Sequence, residues 1–122
     1  MTVENLLAQA RSRLDRLEPE AAGRAMAGGA VLVDIRVESQ RAADGVVPDA
    51  LYMPRNVLEW RCDPASQWHD ERIEPGAHVI VMCNEGCQSS LAAGTLCDLG
   101  LDATDMVGGF QAWRAAGLPV QR

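Results

Sequence analysis

Lysine is absent from this chain; every fixed cation is one of 11 arginines. Acidic residues outnumber them, giving a formal charge of −6 at pH 7 and an isoelectric point near 4.8. A nucleic-acid surface needs clustered basic side chains, so that class of partner is excluded. Aromatic residues are scarce too, with three tryptophans, one tyrosine and one phenylalanine. The core must therefore be built from Val, Leu, Ile, Ala and Met. At 48% hydrophobic over 122 residues, the chain suits one compact domain with a single core. No stretch approaches the roughly 18 apolar residues of a membrane span. The start, Met1-Thr2-Val3-Glu4-Asn5, lacks the cationic and apolar blocks of a secretory signal. A cytoplasmic location without membrane contact is expected, with Cys62, Cys83, Cys87 and Cys97 reduced. His69 and His78 are isolated and Cys83-x3-Cys87 has no second close ligand pair, so no metal or cofactor is expected.

What is present alternates between helical and extended patterns. Thr2 is placed to cap a helix whose apolar residues Val3, Leu6, Leu7, Ala10 and Leu14 recur at helical spacing. That stripe could pack on the domain or on a second subunit. Pro19 opens a second helix, ended by Gly28-Gly29. Val31 to Ile35 reads as a buried strand, Val37 to about Ala43 as a polar helix, and Leu51 to Met53 as a short strand. Asn56 to Trp60 suggests one or two helical turns, and Asp63 to Gly76 a surface loop. Ala77 to Met82 is the clearest strand, Asp105 to Val107 a weaker one, and Phe110 to Ala116 a last helix. Strands alternating with helices imply a parallel sheet covered on both faces, with ligands at the carboxyl ends of the strands. Cys83, Asp34-Ile35-Arg36 and Pro54-Arg55 all fall at such ends.

Cys83 carries the strongest chemical signal. It stands between the apolar run Val79-Ile80-Val81-Met82 and a small-residue loop, Asn84 to Ser90, with a helical pattern from Leu91 to Leu99 beyond. A thiol there faces free backbone N–H groups and the positive end of a helix dipole, both of which stabilise a thiolate. The amides of Glu85 to Ser89 are expected to hold it. Ser89 and Ser90 are either further donors or helix caps. Asp34 is expected to hydrogen-bond backbone groups and fix the neighbouring loops, with Arg36 joining that network or reaching the site. Cys87, four residues on, lines the loop or forms a disulfide with Cys83.

The order Leu32-Val33-Asp34-Ile35-Arg36, Gly45-Val46-Val47-Pro48-Asp49-Ala50, Val81-Met82-Cys83 with its loop, Val107 to Trp113 and Gly117-Leu118-Pro119-Val120 resembles a single-domain rhodanese-like sulfurtransferase. The resemblance divides the chain into an N-terminal helical extension, 1–16, and a rhodanese-like domain, 17–122. It implies a five-stranded parallel sheet with helices on both faces. It also implies a catalytic cysteine, Cys83, that accepts a sulfane sulfur as a persulfide and passes it on, with relay to Cys87 as one open route. The donor would be thiosulfate-type or a persulfide, and the acceptor a thiol, a cyanide-type nucleophile or a partner protein. A sulfur-carrier or regulatory interaction domain with little thiosulfate turnover is the alternative. The implied binding residues are Asn84, Glu85, Gly86, Cys87, Gln88 and Ser89, together with Arg36, Arg55 and Arg61; Asp34 supports them. Two loop positions depart from the pattern. Gln88 stands where the family often has arginine, and Glu85 adds a carboxylate where an anionic donor would approach. Arg55 or Arg61 is expected to replace the missing charge, and thiosulfate to be a poor donor. Phosphatases that resemble this fold need arginine six residues after the cysteine to clamp a tetrahedral anion; here that residue is Ser89.

Overall fold

The computed structural model describes residues 1–122. Four parallel strands, β1 (Val31–Asp34), β2 (Leu51–Tyr52), β3 (His78–Met82) and β4 (Asp102–Asp105), form one sheet in the order β2-β1-β3-β4. Six helices accompany them: α1 (Val3–Arg11), α2 (Pro19–Ala27), α3 (Glu38–Asp44), α4 (Leu58–Cys62), α5 (Gln88–Asp98) and α6 (Gly109–Ala115). None is long and apolar enough to cross a membrane.

The central strands are buried on both faces, which is why they read as unbroken apolar runs. Val33, Val79 and Val81 pack with Leu58, Cys62, Ala92, Ala93 and Leu96 beneath α4 and α5. Leu32, Ile80 and Met82 face the other way, onto Ala22, Phe110 and Trp113 of α2 and α6. With one phenylalanine in the chain, Phe110 is the single large ring of that layer that lies wholly out of water. The first helix is closed by a capping box between Thr2 and Asn5 and lies against α5. Only Leu7 and Ala10 of its stripe are buried; Val3 and Leu6 stay exposed.

Two expectations need correction. The sheet has four strands, not five. Where a fifth would pair, Leu17 makes a single parallel bridge to Met106, with Leu17 N–H on Asp105 O and Val107 N–H on Leu17 O. Pro19 starts α2 two residues later, so the extended stretch ends there. The last strand spans Asp102–Asp105, not Asp105 to Val107. Its buried residues are Ala103, Thr104 and Asp105, a composition without the apolar signal of a strand. Pairing with β3 from His78↔Asp102 to Val81↔Asp105 holds it in the sheet.

Candidate active site

From β1 the chain crosses to β2 on one side, and from β3 to β4 on the other. The carboxyl ends of β1 and β3 therefore flank a switch point, where two adjacent loops diverge and leave a crevice. A cavity of about 320 Å³ opens there, lined by Arg36, Val37 and Gln40 after β1, and by Cys83, Asn84, Glu85, Cys87 and Gln88 after β3. A larger, mainly apolar hollow of about 660 Å³ lies at the amino ends of β1 and β2, between Met26, Trp113 and Leu118. No cysteine, serine or threonine lines it, so the smaller one is the candidate site.

Cys83 is 6% exposed at the floor of this crevice. Gly86 N–H donates to its sulfur at 3.1 Å and Ser89 N–H at 3.3 Å. The N–H groups of Asn84, Glu85, Cys87 and Gln88 have no acceptor within the protein. Two loop amides thus sit on the sulfur, and four more of the same loop are unpaired within the protein. Unpaired backbone N–H groups of this kind bind negative charge through their dipoles.

The loop is held in this shape from two directions. From α6, Phe110 N–H donates to Cys83 O at 2.9 Å and Gln111 N–H to Asn84 O at 3.1 Å. That approach needs Gly109: a β-carbon there would lie 2.4 Å from Cys83 O. It needs Gly86 as well, at φ 91°, whose β-carbon would meet Gly108 N at 2.6 Å. From the opposite side, Arg11 and Arg16 each donate Nη2 to Gly86 O at 2.9 Å. Arg16 also forks onto the fully buried Asp105 through Nε (2.8 Å) and Nη2 (3.2 Å). Ser89 and Ser90 hydroxyls donate to Asp105 Oδ2, each at 2.8 Å.

Arg36 is the only cation lining the cavity. Its Nε and Nη2 are held by Asp34 and its Nη2 also by Gly45 O, and its guanidinium lies 3.8 Å from the centre of the Phe110 ring. Nη1 is buried without a protein partner. Asp34, 1% exposed, also accepts Arg36 N–H and Arg41 Nε, so it ties the β1 loop to α3.

The structure brings Asn84, Glu85, Cys87 and Gln88 to the cavity with Cys83 and Arg36; Gly86 and Ser89 reach the sulfur by their amides from beneath. It does not bring Arg55 or Arg61 there. Arg55 closes back on Glu59, with Nη1 2.9 Å from each carboxylate oxygen. Arg61 is held by Trp68 O and Asp70 over the long surface loop. Each has a carboxylate of its own within reach, which outcompetes a site further off. The four cysteines are free thiols, and Cys87 is exposed at the start of α5. Cys62 sits in the core against Met53; burial first, then nearby Asp70 and Glu59, push its thiol up to about 12, so it is inert at neutral pH.

Three residues at the site were invisible to sequence reasoning: Arg11, Arg16 and Asp105. The arginines precede the family motifs, and Asp105 sits at the end of an edge strand that pattern alone misplaces. The one available signal was that a buried carboxylate in a chain without lysine must find an arginine.

Fold and site together define an α/β domain that presents a thiol, held by two loop amides, at the switch point of a parallel sheet. Residues 18–116 match the rhodanese-like domain family, and the chain belongs to it. Among solved structures, a protein of unknown function from Rhodopseudomonas palustris, described as a possible tyrosine phosphatase, is 31% identical with a TM-score of 0.91. That match covers 99% of this chain and 95% of the other. A rhodanese-related protein from Thermoplasma volcanium is 23% identical over 87% of this chain and 96% of its own, with a TM-score of 0.70. The thiosulfate sulfurtransferase from Pseudomonas aeruginosa is 24% identical over 89% of this chain but 19% of its own, also at 0.70. At these last two identities the likeness shows the fold. No curated protein sequence matches the chain significantly.

Proposed function

We propose that this protein is a sulfurtransferase that carries a sulfane sulfur on Cys83. The observation that supports it best is the set of loop amides, with Gly86 and Ser89 N–H on the sulfur and four further N–H groups free at the cavity wall. In the first step the Cys83 thiolate attacks the outer sulfur of the donor. The donor S–S bond breaks, and the remainder leaves with the bonding electron pair, as sulfite when the donor is thiosulfate. The terminal sulfur of the new persulfide carries the negative charge one bond further out, toward the unpaired amides. In the second step a thiolate or cyanide-type acceptor attacks that terminal sulfur, the S–S bond breaks, and Cys83 returns as thiolate. Charge stays negative throughout, so fixed donors serve both states without rearrangement.

The name of the Rhodopseudomonas neighbour raises phosphoryl transfer as a rival. Clamping a phosphoryl group calls for a guanidinium fork aimed at its equatorial oxygens. Ser89 occupies the loop position for that arginine, and its hydroxyl is turned away onto Asp105. Arg36 has two of its three nitrogens committed to Asp34 and Gly45. Both facts favour sulfur over phosphate.

Intact-protein mass spectrometry tests the reading. Incubation with thiosulfate or a small persulfide donor is expected to add one sulfur atom, absent in Cys83→Ser and removed by cyanide. No adduct from any sulfane donor would defeat it. Turnover only in the presence of an acceptor protein would identify the sulfur-carrier form of the same chemistry.

A further inference from the structure

The Gly86 carbonyl is where the amino-terminal segment meets the cysteine loop. Arg11 closes α1 and Arg16 lies in the extended stretch after it, and both place Nη2 on this oxygen. Ser90 Oγ approaches it at 3.4 Å and is itself held by Arg11 Nε at 3.0 Å. A trans peptide sets its C=O and N–H on opposite sides, and the chain has no cis bond. The Gly86–Cys87 peptide therefore turns its N–H away from both guanidinium groups. That N–H belongs to Cys87, a residue of the cavity wall, and has no acceptor in the protein. Two cations on the carbonyl polarise the peptide and make its N–H a stronger donor, an effect that grows in a partly desolvated setting. Asp105, buried behind the loop, would oppose anion binding if left unpaired, and Arg16 neutralises it with a two-pronged contact.

We propose that Arg11 and Arg16 are positioning residues that hold the Gly86–Cys87 peptide with its N–H turned away from them and left unpaired for an incoming anion, giving a loop without arginine its affinity for small sulfur anions. The charge acts from beneath, through the backbone, and leaves the cavity mouth free of cationic side chains other than Arg36. On this account the first 16 residues are part of the site, and a boundary after residue 16 cuts through its hydrogen bonds. The inference rests on the reading of Cys83 as the reacting sulfur and names the substrate class as a small anion such as thiosulfate or a persulfide.

Arg13 is a natural control. It lies on the same segment and removes the same charge when substituted, but it binds Asp98 and Gly94 O rather than Gly86. The experiment compares alkylation of Cys83 by anionic iodoacetate and neutral iodoacetamide at one pH, in the full chain. A Cys87→Ala background keeps the residue-87 N–H and removes the competing thiol. Arg11→Gln is expected to lower the iodoacetate-to-iodoacetamide rate ratio about three- to tenfold, the scale of one ordinary net hydrogen bond, because the lost charge acts on the anion only through the peptide. Arg16→Gln combined with Asp105→Asn, which avoids a stranded buried carboxylate, is expected to do the same. Arg13→Gln is expected to leave the ratio unchanged. A loss of packing alone would alter both rates together. An unchanged ratio in a folded Arg11→Gln protein would overturn the proposal, as would an equal fall in Arg13→Gln, which would reveal long-range charge instead of the peptide. Persulfide loading is scored separately. Wild-type protein that never loads sulfur, together with arginine variants that still show the ratio change, would refute the sulfurtransferase reading and leave the role of the arginines standing.

Discussion

Replacing Asp105 with asparagine tests how this loop is supported. The carboxylate is fully buried and accepts four hydrogen bonds: two from Arg16, whose side chain is 18% exposed, and one each from Ser89 and Ser90. Asparagine keeps the shape but removes the charge and offers one acceptor oxygen where two served. Breaking a buried ion pair by removing one partner costs about 3–5 kcal/mol. Because the amide can still accept from one hydroxyl, we expect the lower end, about 3 kcal/mol. Domains of this size have about 5–15 kcal/mol in total, and each 1 kcal/mol moves the melting temperature by roughly 3–6 °C. A fall of about 10–15 °C is the expected result in calorimetry or thermal circular dichroism. The pairing claim has its own check in the double substitution with Arg16→Gln. Removing both charges should cost about 2 kcal/mol less than the two single losses combined, since neither partner is then left buried alone. Single effects that add to within about 0.5 kcal/mol, or an Asp105→Asn protein within about 1 kcal/mol of wild type, would refute the reasoning.

Two further outcomes are expected. Glu85 is exposed at the cavity wall, so Glu85→Gln removes a repulsion of about 1 kcal/mol or less and should raise the thiosulfate rate about two- to fivefold, an advantage that shrinks with added salt; an equal gain with a neutral donor would contradict this. The Arg72 guanidinium hydrogen-bonded to Asp70 holds that carboxyl well below the usual carboxylate range, against the effect of burial and with help from the Arg72 N–H and Arg61. A depressed folded value means the stabilisation is complete above the unfolded carboxylate value of about 3.9 and is lost as pH falls through the lower folded one. Urea midpoints of wild type and Asp70→Asn should therefore differ by a constant amount above about pH 5 and converge below about pH 4; a gap that persists undiminished to about pH 2 would show that Asp70 acts by packing alone.

How far the fold was legible follows from where the apolar residues lie. Val31 to Asp34 and His78 to Met82 announce themselves because central parallel strands are buried on both faces, and Pro19 and Gly28-Gly29 bound α2 by backbone chemistry alone. Asp102–Asp105 escapes pattern reading because an edge strand can be built from Ala, Thr and Asp when a ladder on one side holds its backbone and an arginine pairs its buried carboxylate. Nearness to a strand end points to Arg55 or Arg61 as the source of the missing loop charge. Their own carboxylates, Glu59 and Asp70, hold them elsewhere.

The sequence by itself determined the candidate nucleophile and its setting: a cysteine after an apolar run, small residues after it, and the glycines that let the backbone close around it. These are local properties, written in neighbouring positions. Only the tertiary structure decided which charges serve that loop. Arg11 and Arg16 lie some 70 positions from Gly86, and Asp105 comes nearly 20 positions after it, separated by a helix and a strand. Ion pairs carry no periodicity and a guanidinium can reach any carbonyl that folding brings within about 3 Å, so their partners exist only once the chain is packed.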